Sequence, residues 1–217
     1  MKKFRVGVFD SGVGGKSVAN AVESAFGNIE VICVEDSTNL PYGTKTVETL
    51  EKLVVPILQD LAEKVDVIII ACNTISTVLG EKLRQQLDVP IILVVPMVKT
   101  ASSLSKKKVI AVCATPTTLG SQRYQQLKEQ YAHDIEVIEP DCSDWSSLIE
   151  ANEMSKHEIG KMVDQVREKN ADVIVLGCTH YHWIEDLIVA VAGPKITVLQ
   201  PEPAIILQLR TVLEQLA

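Results

Sequence analysis

Two segments of this chain nearly repeat each other: Asp66-Val67-Ile68-Ile69-Ile70-Ala71-Cys72-Asn73-Thr74 and Asp172-Val173-Ile174-Val175-Leu176-Gly177-Cys178-Thr179-His180. Each starts Asp-Val, continues as a β-branched run, and ends in a small residue, a cysteine and a short polar residue. Such a run reads as a strand buried on both faces, and sheets of that kind are parallel and covered by helices. The two segments are offset by roughly 105 residues, and residues 109–113 resemble residues 5–9 at a similar offset. The chain is therefore expected to be an α/β protein of two similar lobes with mainly parallel sheets. The expected boundaries are 1–95 plus 204–217 for the first lobe and 96–203 for the second.

Strand-like and amphipathic helical stretches alternate along the whole chain, as that architecture requires. Strands are expected at 5–9, 29–34, 67–71, 91–95, 109–113, 135–138, 173–176 and 196–199. Helices are expected at 16–25, 46–64, 76–86, 119–130, 156–169 and from about 204, the last packing back on the first lobe. Each repeated cysteine then stands where its strand leaves the sheet, the edge at which open α/β sheets bind ligands. Two lobes facing each other would direct two thiols into one cleft from opposite sides. That arrangement suits moving a proton from one face of a carbon to the other.

A formal net charge of −7 argues against nucleic acid or an anionic membrane surface as a bulk partner. No apolar run approaches membrane-spanning length, and Met1-Lys2-Lys3-Phe4-Arg5 leads straight into a strand without an apolar signal region. The five cysteines are odd in number and widely spaced. They read as reduced thiols of a cytoplasmic protein rather than as a disulfide framework.

Asp10-Ser11-Gly12-Val13-Gly14-Gly15-Lys16-Ser17 follows a strand and opens a helix, close to the phosphate-binding pattern G-x-x-x-x-G-K-[ST]. Asp10 stands in place of the first glycine, where a carboxylate would oppose the phosphates. Nucleotide binding is therefore disfavoured. A tight turn explains the glycines but not Asp10-Ser11 at the strand's ligand-facing end.

A free thiol is mostly protonated at neutral pH, so a cysteine base needs a partner that stabilises its thiolate, and a cysteine acid needs the opposite poise. His180 lies two residues after Cys178 and Asp10 ends the equivalent strand beside Cys72, so each thiol has a candidate proton partner. Asn73, Thr74 and Thr179 supply donors at the two strand ends. Cys33 and Cys113 lie inside apolar runs and read as packing. Cys178, His180 and His182 alternate, yet no further ligand with zinc-site spacing accompanies them, which disfavours a metal.

These residues carry a family resemblance. Gly7-Val8-Phe9-Asp10-Ser11-Gly12-Val13-Gly14-Gly15, Pro41-Tyr42-Gly43, Ala71-Cys72-Asn73-Thr74, Thr115-Pro116-Thr117-Thr118-Leu119-Gly120-Ser121 and Gly177-Cys178-Thr179-His180-Tyr181 occur in order over nearly the whole chain. In them the chain resembles the cofactor-independent glutamate racemases of the aspartate/glutamate racemase superfamily. The resemblance implies two α/β lobes related by a pseudo-twofold, a small-molecule amino-acid substrate in the cleft between them, no cofactor (pyridoxal phosphate included), and a homodimer as one open assembly. It assigns the two bases to Cys72 and Cys178, assisted by Asp10 and His180, with Glu150 polarising His180. It places Ser11, Pro41, Tyr42, Gly43, Asn73, Thr74, Thr118 and Thr179 around the substrate. The product would be D-glutamate for peptidoglycan.

The chain departs from the family pattern at Lys16, at His182-Trp183 after the second cysteine motif, at Gln200-Pro201, and around Cys142. None of these removes a base. An aspartate or other amino-acid racemase of the same superfamily and a non-catalytic regulatory binder on this fold remain the alternatives.

Overall fold

The computed structural model describes residues 3–217; Met1 and Lys2, part of the chain start considered above, lie outside the described residues. The chain divides into two compact units, one running through Val94 and resuming at Pro201–Ala217, the other Val95–Gln200.

In the first unit the order is β1 (Phe4–Asp10), α1 (Gly14–Ala25), β2 (Ile29–Glu35), α2 (Val47–Ala62), β3 (Val67–Ile70), α3 (Asn73–Val78), α4 (Gly80–Gln86) and β4 (Ile91–Leu93). Its four strands pair in the order β2-β1-β3-β4, and all pairings are parallel. Successive side chains of a strand point to opposite faces, and β3 shows what that demands. Ile68 and Ile70 pack with Leu50, Val54, Leu58 and Leu61 of α2. Val67 and Ile69 pack on the other face with Val18 and Val22 of α1. All four β3 side chains are fully buried, which is why that run is apolar without alternation. Truncating a core residue such as Leu58 to alanine costs roughly 2–5 kcal/mol.

The second unit repeats the plan with α5 (Val98–Leu104), β5 (Val109–Ala114), α6 (Pro116–Leu119), α7 (Gln122–Tyr131), β6 (Glu136–Ile138), α8 (Trp145–Glu150), α9 (Lys156–Glu168), β7 (Val173–Gly177), α10 (Glu185–Ala192) and β8 (Thr197–Leu199). Its sheet runs β6-β5-β7-β8, also wholly parallel. The same strand order in both units fits an internal duplication. Helix α9 opens on a serine N-cap: Ser155 Oγ accepts from the Glu158 amide at 3.3 Å. Helix α11 (Glu202–Leu216) returns to the first unit, where Ile205, Leu209 and Leu213 pack with Val6 and Val8.

Two expected elements differ. The helix expected at 76–86 is two helices, starting earlier at Asn73 and broken at Leu79. Leu79 sits at φ −120° and ψ −10°, outside helical geometry; before it, Thr77 Oγ1 donates back to the carbonyls of Asn73 and Thr74 at 2.8 and 3.1 Å, and Ser76 Oγ ties the start of α3 to the Ile70 carbonyl of β3 at 2.9 Å. The helix expected at 119–130 is likewise two, separated where Ser121 caps α7 by accepting from the Tyr124 amide. Cys33, read as packed, is exposed on β2, because β2 is an edge strand of its sheet.

Candidate functional site

Each unit presents one cysteine at the carboxyl end of an equivalent inner strand. In the first unit Cys72 follows β3 and precedes α3, with only 4% of its surface exposed. Its thiol donates to Ser11 Oγ at 3.6 Å, and its carbonyl accepts from the Ser76 amide at 2.9 Å. Burial, with Asp10 nearby, pushes the Cys72 thiol up to about 12, against hydrogen bonds from Ile75, Ser11 and Thr74 that favour the thiolate. At neutral pH the Cys72 thiol therefore keeps its proton.

Asp10 ends β1 and is fully buried; its Oδ2 accepts from the Gly12 amide at 3.2 Å. The glycine loop is built around it. A Cβ on Gly15 would lie 2.7 Å from the Asp10 Cβ, so helix α1 can approach the carboxylate only without a side chain there. Lys16 and Ser17, the remainder of the phosphate-like motif, are committed to carboxylates: Lys16 Nζ lies 3.5 Å from Glu35 Oε2 and Ser17 Oγ donates to Glu202 Oε1. The Gly12 amide is taken by Asp10, and the Gly15 and Lys16 amides donate to the Gly12 and Val13 carbonyls at 3.3 and 3.1 Å, so none of the three is aimed at a phosphate.

Asn73 is 3% exposed, and neither its Oδ1 nor its Nδ2 has a hydrogen-bond partner. A buried amide without partners costs a few kcal/mol, a cost that a bound polar ligand would relieve. Thr74 and Ser11 are buried beside it in sequence and in the Cys72 contact respectively. Tyr42 and Gly43 are buried, whereas Pro41 is exposed and joined to Leu40 by a cis peptide.

In the second unit Cys178 follows β7 and its Sγ lies 3.6 Å from His180 Nδ1. His180, 2% exposed, places Nε2 2.7 Å from Glu150 Oε1 at the end of α8. Thiol, imidazole and carboxylate thus form a continuous relay of the kind that activates nucleophiles and bases. Tyr181 anchors the turn carrying them: its hydroxyl donates to the Cys142 carbonyl at 2.9 Å and its ring meets Trp145 edge-on at 5.3 Å. Gly177 permits the strand end to close, since a Cβ there would lie 2.9 Å from the Ala114 Cβ. Thr118 is fully buried in a hydroxyl turn in which Thr115 Oγ1 donates to Thr118 Oγ1 at 3.0 Å; Thr179 is 1% exposed.

The structure therefore groups Asp10, Ser11, Tyr42, Gly43, Cys72, Asn73 and Thr74 in one unit and Thr118, Glu150, Cys178, Thr179 and His180 in the other. Among the departures, His182 is buried and held down to about 4 by burial and His180, while Trp183 is half exposed. Among the described residues no group of three or more His, Cys, Asp or Glu side chains is arranged to hold a metal, and no helix is long and apolar enough to cross a membrane. Sequence reasoning missed Asp36, whose carboxylate accepts from the Tyr42 hydroxyl at 2.5 Å. The available signal was an acidic residue directly after a strand, five residues before the Pro41-Tyr42-Gly43 turn. It also missed Cys142, whose carbonyl receives Tyr181.

The model of the Asp/Glu/Hydantoin racemase family matches residues 16–208. Glutamate racemase of Methylococcus capsulatus is 34% identical over 214 residues, 96% of this chain and 79% of that protein. Glutamate racemase of Herpetosiphon aurantiacus is 34% identical over 218 residues, 98% of this chain and 86% of its own length. Among solved structures, Escherichia coli glutamate racemase in complex with L-glutamate and the activator UDP-MurNAc-ala superposes with a TM-score of 0.90 at 28% identity, covering 98% of this chain and 83% of that one.

Proposed function

This chain belongs to the Asp/Glu/Hydantoin racemase family, and on that premise we propose that it is a glutamate racemase, interconverting L- and D-glutamate without a cofactor. The observation that carries the reading is the pair of equivalent strand ends, each bearing a buried cysteine with its own proton partner. Cys72 is flanked by Ser11 and Asp10, and Cys178 by His180 and Glu150.

In this reading Cys72 takes the α-proton of D-glutamate and Cys178 that of L-glutamate, each thiol reprotonating the opposite face. The electron pair of the broken Cα–H bond delocalises into the α-carboxylate and returns to form the new Cα–H bond, so the reaction is redox-neutral. Ser11, Asn73, Thr74, Thr118 and Thr179, with the backbone of Pro41, Tyr42 and Gly43, hold the substrate's carboxylates and ammonium. Small hydroxyls, amides and backbone donors suit that task because they offer many hydrogen bonds without another buried charge. Hydrogen bonds to the α-carboxylate that strengthen as the carbanion forms supply the rate acceleration.

The different surroundings of the two thiols fit a reversible reaction. Cys72, pushed up, is the resting acid. Cys178 can pass its proton to His180, whose imidazolium Glu150 would stabilise. The site of action is the cytoplasm, where the five free cysteines stay reduced, and the product is D-glutamate for peptidoglycan. Circular dichroism of D-glutamate and, separately, L-aspartate with purified protein tests this. Decay of the glutamate signal, with aspartate inert, is expected. Stable signals from both amino acids would overturn the racemase reading, and decay of aspartate alone would reassign the substrate.

A further inference from the structure

We propose that Asp36 is a positioning residue for this reaction, acting through Tyr42 to hold the Pro41-Tyr42-Gly43 turn in its substrate-binding shape. The proposal rests on the glutamate racemase reading above.

Asp36 leaves β2 immediately beside Asp10, its amide donating to the Asp10 carbonyl at 3.3 Å. The residue is 9% exposed. Burying a carboxylate is costly unless it is paired or hydrogen-bonded, and among the described residues no Lys, Arg or His lies within ion-pairing distance of it. Its partners are the loop that follows. Tyr42 Oη donates to Oδ2 at 2.5 Å, and Asn39 Nδ2 reaches Oδ1 and Oδ2 at 2.9 and 3.0 Å. The Asn39 amide also donates to the Asp36 carbonyl at 3.2 Å. One carboxylate thus ties down both the middle and the far end of the stretch from 36 to 42. Short hydrogen bonds to an ionised acceptor are the strong kind.

A turn clamp of this sort could serve folding alone, but Tyr42 connects it to the chemistry. The Tyr42 ring is 2% exposed and belongs to the same packed cluster as Cys72, Phe9 and Ile75. The Tyr42 phenol is held above the usual tyrosine range by burial and by Asp36, with Cys72 near enough to contribute, so it remains a donor at every working pH. The Tyr42 carbonyl in turn receives the Lys45 amide at 3.1 Å, which closes the turn around Gly43. Because Tyr42 is fixed at its ring, its hydroxyl and its carbonyl, the orientation of the Gly43 peptide follows from it. Loss of the Asp36 charge frees the hydroxyl end of that lever and loosens the donors presented to substrate.

The test is steady-state racemisation of D-glutamate by wild type, Asp36→Asn, Tyr42→Phe and the double variant. Each single change is expected to raise KM about tenfold and to lower kcat less. The double variant is expected to match the worse single one, because both changes cut one interaction. Hydrogen exchange at residues 40–44 is expected to quicken in Asp36→Asn. An unchanged KM in Asp36→Asn, summed effects in the double variant, or unaltered exchange at 40–44 would each overturn the positioning role. Wild type separates the two failures: absence of racemisation by wild type removes the glutamate reading, whereas an active wild type with an indifferent Asp36→Asn removes the positioning role alone.

Discussion

Glu150 Oε1 lies 2.7 Å from His180 Nε2, and the opposite ring nitrogen, Nδ1, lies 3.6 Å from Cys178 Sγ. The imidazole therefore bridges a carboxylate to a thiol, and its two nitrogens face different tasks. A hydrogen bond at Nε2 fixes which nitrogen carries the proton when the ring is neutral. With Nε2–H directed at Glu150, Nδ1 is left to accept the thiol proton.

Replacing Glu150 by Gln keeps the shape but removes the charge that stabilises the imidazolium. The L-to-D direction, in which Cys178 is the base, is expected to lose kcat on the order of tenfold to a hundredfold. The acidic limb of its pH–rate profile, which reports the base, is expected to move with it. Rates measured in both directions across pH check this. An unchanged pH profile in Glu150→Gln would show that the carboxylate takes no part.

Cys72 predicts a pH dependence of stability. Its thiol sits at about 12 in the folded chain against an ordinary 9.0, burial being the main cause. A raised folded value means the contribution is complete below about pH 9 and is lost as pH rises toward 12. The slope is about 1.4 kcal/mol per pH unit in that window. Urea unfolding of wild type and Cys72→Ala from about pH 8 to about pH 10.5 checks it. The gap between the two is expected to shift against wild type as pH rises; parallel curves would contradict the burial of the thiol.

His182 works in the other direction. Burial, then His180, holds its ring at about 4 instead of 6.5. A depressed folded value gives stability that is present above pH 6.5 and lost as pH falls toward 4. The total is on the order of 3 kcal/mol. His182→Gln, which does not titrate, is expected to flatten that part of the acid-unfolding curve, and an unaltered curve would contradict the assignment.

Gly15→Ala probes the Asp10 seat. The new methyl would stand 2.7 Å from the Asp10 Cβ, closer than two carbons can pack, so helix α1 or the carboxylate must shift. Displacements near 1 Å can cost about a hundredfold in rate. The expected outcome is a drop in kcat of about that size with the fold retained by far-ultraviolet circular dichroism. Full activity would show that Asp10 placement is not critical.

Much of the architecture was legible because burial on both sheet faces leaves an unambiguous mark. Val67–Ile70 and Val173–Gly177 are fully buried runs, and their repetition pointed to two similar sheets before any coordinates. Helix 46–64 was legible for the complementary reason, a single apolar stripe. Residues 76–86 misled because their apolar spacing continues across Leu79, where the backbone itself leaves helical geometry at φ −120° and ψ −10°, a departure that side-chain periodicity does not record. Helix α8 was missed because Ser143-Asp144 and Ser146-Ser147 look like loop, yet Trp145 turns inward against Tyr181. Asp36 was missed because its partners, Asn39 and Tyr42, are local, and an acidic residue after a strand reads as an ordinary turn. Such clamps depend on side-chain direction, which periodicity does not carry.

The two-thiol mechanism is tested most directly in deuterium oxide, starting from D-glutamate and stopping at low conversion. Two separate bases predict L-glutamate carrying deuterium at Cα while the remaining D-glutamate keeps its hydrogen, because the thiol that reprotonates had exchanged with solvent and the one that abstracts returns its own proton. L-glutamate retaining the original hydrogen, or deuterium appearing equally in both enantiomers from the outset, would contradict two separate bases and point to a single base serving both faces.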